Sequence, residues 1–129
     1  MEKHSLRTPL GRVRNLGSAK SGTTDFWRQS VTAVATALLT VPVIFIVLAL
    51  AGRNHAGTAQ ILGSPLVAII FALFIIASAI HMKIGMQVII EDYVHDEKLK
   101  LAAIIANVFF TAIVTLASLY AIFKLSSGV

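Results

Sequence analysis

Four residues in the second half of the chain carry side chains suited to chemistry: His81, Lys83, Asp92 and Tyr93. His81 and Lys83 fall inside a long apolar run that begins at Leu66. An ionisable group there is costly and marks function by default. Lys83 has a simple escape, since its long stem lets the ammonium snorkel to the headgroups. His81 is shorter and has none. On a helix, Ser78, Ala77 and Gly85 share the histidine's face at i−3, i−4 and i+4, with Phe74 at i−7. Small neighbours leave room for a flat macrocycle to approach the backbone, and equally for an inter-helix hydrogen bond. Haem ligation, plain polar packing and proton relay all fit His81 on these residues alone. Asp92 follows eleven positions later, which returns it to within about 20° of His81 and about 16 Å along the axis. Tyr93 is turned about 100° further and falls at interface depth. Its hydroxyl can donate to a carbonyl, and the Asp92 carboxylate can exchange protons with water. The acidic and basic residues around them also read simply as a solvated loop.

The elements that must position these groups are membrane helices. The chain has 129 residues, of which 57% are apolar and 13% charged, against the usual quarter charged in a soluble domain. A span needs about 20 apolar residues at about 1.5 Å rise each. Three segments qualify, at about 31–51, 65–93 and 99–123. Gly52 to Gly57 interrupts the first run with turn formers, Pro65 suits a first helical turn, and the third run ends at Lys124 before Ser-Ser-Gly. The organisation is a tail (1–30) with an interfacial segment, a three-helix membrane domain (31–124) and a short end (125–129). The fold class is an all-α membrane protein, three transmembrane helices within a hetero-oligomeric helical bundle.

Cysteine is absent, which excludes disulfides and any cysteine-ligated zinc or iron–sulfur site in this chain. The net charge of +5 does not indicate nucleic acid, because no aromatic interleaving of the kind that stacks bases accompanies it. Lys3, Arg7, Arg12, Arg14, Lys20 and Arg28 precede the first span, and Lys98 and Lys100 follow the second; only Arg53 and Lys124 fall on the opposite side. The positive-inside rule puts the N-terminus in the cytoplasm and the C-terminus outside. The Arg- and Ser-containing tail imitates a transit peptide, but Asp25-Phe26-Trp27-Arg28 leads directly into the span like an interfacial helix with its aromatic belt.

Thr32, Thr36 and Thr40 form a stripe on the first span, as Asn107, Thr111, Thr115 and Ser118 do on the third. Such stripes suit helix contacts in lipid. Pro42 predicts a kink, with Thr40 or a neighbour covering the freed carbonyl. So many polar stripes on three helices imply partner subunits.

The arrangement Ser78-Ala79-Ile80-His81, then eleven residues to Asp92-Tyr93, in the second of three spans resembles the hydrophobic membrane anchor subunit of succinate dehydrogenase. The tail from Arg7 to Arg14, Leu16-Gly17-Ser18-Ala19-Lys20 and Phe26-Trp27-Arg28-Gln29 look like the alphaproteobacterial branch of that family. The resemblance covers nearly the whole chain. It implies a non-catalytic subunit of succinate:ubiquinone oxidoreductase in a bacterial inner membrane, rather than a mitochondrial one. Its partners would be a flavoprotein, an iron–sulfur protein and a cytochrome b subunit. By the same resemblance, His81 would be one axial ligand of haem b and Tyr93 would hydrogen-bond a ubiquinone carbonyl. Asp92 would aid proton delivery, and the stretch from Glu91 to Lys100 would be the loop that docks the iron–sulfur protein. Relatives often carry an arginine for a haem propionate where this chain has Ser30. Arg28 is the candidate for that role, although its direction differs by about 200°. The competing class is a small transport or proton-conducting subunit using His81 and Lys83 as relay groups.

Overall fold

A computed structural model describes residues 8, 10 and 20–128, with side chains from Gly22 onward. The tail motif from Arg7 to Ala19 therefore lies outside the described residues, apart from Thr8 and Leu10. Four helices follow in order: α1 (Lys20–Leu50), α2 (His55–Leu62), α3 (Pro65–Tyr93) and α4 (Glu97–Ser127). No strand occurs among the described residues. The three long helices are each long and apolar enough to cross a bilayer.

Each end of these helices has a local cause. The α1 C-terminus turns on Gly52, whose φ of 75° suits a residue without Cβ, and Arg53 Nε donates to the Ala49 carbonyl at 3.2 Å. Asn54 then caps the short α2, its side chain accepting from Gly57 N at 2.9 Å. The sequence reading took this stretch only as a break, so α2 is an addition. Pro65 opens α3 at a position where its missing N–H costs nothing.

Asp96 caps α4, accepting from Leu99 N at 2.8 Å. The expected docking loop from Glu91 to Lys100 is thus corrected. Glu91–Tyr93 finish α3, Glu97 already begins α4, and only Val94–Asp96 connect them. Capping by Asp96 lets the helix start where the charges had suggested solvated loop. Pro42 sits within a continuous α1, and Thr40 Oγ1 donates to the Thr36 carbonyl at 2.7 Å. That bond goes to a carbonyl two residues before Leu38, whose own carbonyl is the one a proline at 42 frees.

The three long helices form a row with α3 in the middle. Both α1 and α4 pack on α3, and among the described residues α1 and α4 do not touch. α2 lies across the end of the row. There the turn at Gly63 runs so close to α4 that a Cβ would stand 2.8 Å from the Leu125 carbonyl oxygen. The polar stripes are the contact surfaces, since Thr32, Asn107 and Thr111 are the buried polar residues. Asn107 Nδ2 donates across to the Lys83 carbonyl at 2.9 Å, joining α4 to α3. The apolar faces stay open: among the described residues only Val43, Ala77 and Ile90 are buried hydrophobics. In a bilayer those faces meet lipid or partner helices instead of water.

Candidate functional site

The site is built where α1 crosses α3. Ala77 and Gly85 flank His81 with minimal side chains, so α1 approaches α3 closely along this stretch. A Cβ on Gly85 would lie 3.4 Å from Gln29 Nε2. His81 is half-buried against α1. Its Nδ1 stands 3.3 Å from the Gln29 carbonyl oxygen and 3.4 Å from Thr32 Oγ1.

These two contacts assign the ring's proton. A carbonyl oxygen only accepts, so Nδ1 must be the donor. Thr32 Oγ1 already spends its own proton on the Arg28 carbonyl at 2.6 Å, which leaves it an acceptor toward the ring. In the neutral imidazole, Nε2 is then the nitrogen with the free lone pair. A metal-bound histidine characteristically donates its other N–H to a backbone carbonyl or carboxylate, which fixes ring direction and raises basicity. Gln29 and Thr32 supply that arrangement here. Sequence reasoning had Thr32 as a packing stripe and passed over Gln29, whose contribution is a backbone oxygen that any residue type carries.

Among the described residues, Gln29 Oε1, Thr36 Oγ1, Ser78 Oγ and Thr111 Oγ1 are buried without a hydrogen-bond partner, Gln29 on the helix that holds the histidine and Ser78 on the side of α3 facing α4. Buried polar atoms are ordinarily paired, and each exception calls for an explanation. Among the described residues no three His, Asp or Glu side chains gather to hold a bare metal ion. His81 is the imidazole at this crossing, and its Nε2 carries the free lone pair.

Asp92 and Tyr93 end α3 and are both exposed, Tyr93 at 77%. They are not brought against His81, but lie along the same helix by about 16 Å at the helical rise. Glu91 beside them accepts from Gln87 Nε2 at 2.8 Å. Lys83 and Arg28, on different helices, line one groove of about 600 Å³ together with Asp25, Trp27 and Gln87. Ser30 lines a separate apolar groove of about 450 Å³ with Val34 and Leu38.

Three membrane-length helices in a row and a lone imidazole held between two of them define a multi-pass membrane subunit. Residues 4–115 match the family described as succinate dehydrogenase/fumarate reductase transmembrane subunit. The chain is 38% identical over 122 residues to the succinate dehydrogenase hydrophobic membrane anchor subunit of Paracoccus denitrificans, covering 94% of this chain and 93% of that one. It is 31% identical over 120 residues to the subunit of the same name from Rickettsia bellii, covering 93% and 96%. No solved structure matches the chain significantly. The chain belongs to the succinate dehydrogenase/fumarate reductase transmembrane subunit family.

Proposed function

We propose that this chain anchors succinate:ubiquinone oxidoreductase in the membrane, supplies one axial ligand of haem b through His81, and forms part of the ubiquinone site through Tyr93 and Asp92. The observation that carries the reading is the Gln29 carbonyl 3.3 Å from His81 Nδ1, which directs the proton to Nδ1 and leaves Nε2 free. The small residues Ala77 and Gly85 let α1 come close enough to hold the ring from its Nδ1 side, which leaves Nε2 as the free nitrogen. Haem bound there would supply a one-electron redox centre, with the second ligand from the cytochrome b subunit.

The chain's own groups do the rest. Gln29 and Thr32 hold the imidazole in one tautomer. Tyr93, exposed at the end of α3, can donate its hydroxyl proton to a quinone carbonyl, and Asp92 beside it can pass protons from water. The short connection Val94–Asp96, on the N-terminal side of the membrane, is the edge offered to the iron–sulfur subunit and through it the flavoprotein. The basic residues gathered on that side favour a cytoplasmic N-terminus and a periplasmic C-terminus in a bacterial inner membrane.

The test is the His81→Ala variant of the intact complex. The reading expects the b-type haem to be lost, or its absorption spectrum and midpoint potential to shift, while the flavoprotein still oxidises succinate with an artificial acceptor. A haem spectrum and potential identical to wild type would remove His81 as ligand.

A further inference from the structure

We propose that the groove between α1 and α3 is a binding site for an anionic phospholipid, with the headgroup phosphate between Arg28 and Lys83 and an acyl chain along α1. The two cationic side chains come from residues 55 positions apart and line the same groove of about 600 Å³. Basic pockets between transmembrane helices are suited to anionic headgroups. Gln87 adds an amide and Thr32 a hydroxyl at the same wall, and Val31, Ile80 and Ile84 are its apolar part. Asp25 also lines the groove, so its formal charge is +1, the complement of one phosphodiester.

Depth and continuity identify the occupant as a lipid. Trp27 lines this groove, and an indole near a span's end sits at headgroup level. Trp27 and Val31 also line the second groove, about 450 Å³, whose other walls are Ser30, Val34, Ala35 and Leu38. The second groove shares that wall with the first and continues along the face of α1 alone, about two turns from Val31 to Leu38. A charged mouth at headgroup depth continued by an open apolar strip of α1 matches one molecule with a phosphate head and a hydrocarbon tail. A free phosphate would use the mouth and leave the apolar strip uncovered.

Trp27 is the chain's single tryptophan, so its fluorescence reports on both grooves. The full chain in phosphatidylcholine nanodiscs should be quenched more by phosphatidylglycerol brominated on its acyl chains than by phosphatidylcholine brominated identically. The preference should fall about fivefold for Arg28→Gln or Lys83→Gln, and further in the double variant. Arg28→Lys with Lys83→Arg should retain it, which separates charge from folding. Inorganic phosphate should not compete. Equal quenching by the two lipids, or an unchanged preference in the double variant, would overturn the proposal. So would an altered haem spectrum in Arg28→Gln of the intact complex with its bound phosphatidylglycerol unchanged, since the guanidinium would then serve a haem carboxylate. His81→Ala leaves the lipid preference intact, so this proposal and the haem reading fail separately.

Discussion

The imidazole of His81 meets the first helix at its main chain: Nδ1 lies 3.3 Å from the carbonyl oxygen of Gln29, 52 residues earlier in sequence. A backbone acceptor cannot be removed by changing the Gln29 side chain. Gln29→Ala is therefore expected to keep the ring's tautomer and, on the proposed function, haem binding. If Gln29→Ala abolished haem binding as completely as His81→Ala, the orienting role of the carbonyl would be wrong.

Thr32 shares the same ring proton at 3.4 Å, and its hydroxyl can be removed almost isosterically. Outer-shell partners of a ligating histidine are typically worth about 10–100-fold in metal affinity. Because the Gln29 carbonyl remains, Thr32→Val should weaken haem retention by no more than about tenfold. The haem-to-flavin ratio after mild chaotrope treatment, together with the midpoint potential, measures it.

Tyr93 is 77% exposed at the end of α3, with no packing role in this chain to lose. Tyr93→Phe should slow quinone reduction by about five- to tenfold, the worth of one hydrogen bond. Succinate oxidation by an artificial acceptor should not change. Parallel loss of both activities would indicate failed assembly instead.

Asn107 is buried and its Nδ2–H donates to the Lys83 carbonyl at 2.9 Å. Interhelical hydrogen bonds in membranes average about 0.6 kcal/mol. Asn107→Leu should cost about that much or less, whereas Asn107→Asp buries a charge and should cost several times more. Thermal inactivation of the complex ranks the two.

Gly63 is held by space, not by dihedral angle. A Cβ there would come 2.6 Å from the Ala59 carbonyl oxygen and 2.8 Å from that of Leu125, both rigid backbone atoms. Gly63→Ala should therefore destabilise by about 1–3 kcal/mol, the range for overpacking. A thermal midpoint equal to wild type would contradict this packing at the helix ends.

Much of the fold was legible because bilayer physics writes itself into composition. Apolar length read out three spans, and Pro65 marked the start of α3. The ends were harder. Asp96 looked like one more solvated charge, yet Asp96 with Leu99 three residues on is a cap, and Asn54 with Gly57 repeats the device. His81 stood out because hydrocarbon penalises it. Its partner at Gln29 left no trace, since every residue offers the same carbonyl. The meeting of Arg28 with Lys83 was equally silent, because it depends on how two antiparallel helices slide past each other.

The row arrangement also sets an order of events during synthesis. Among the described residues α1 has its one long partner in α3, and α4 contributes nothing to that contact. From Leu50 to Tyr93 the ribosome needs roughly 2–9 s, at about 5–20 residues per second. For at least that interval the first span waits for its partner within this chain, and the Gln29 carbonyl and the Thr32 hydroxyl wait with it. When α3 arrives, His81 can be oriented at once, before any of α4 has been translated. The α1–α3 pairing that holds His81 is thus a unit that needs nothing from α4.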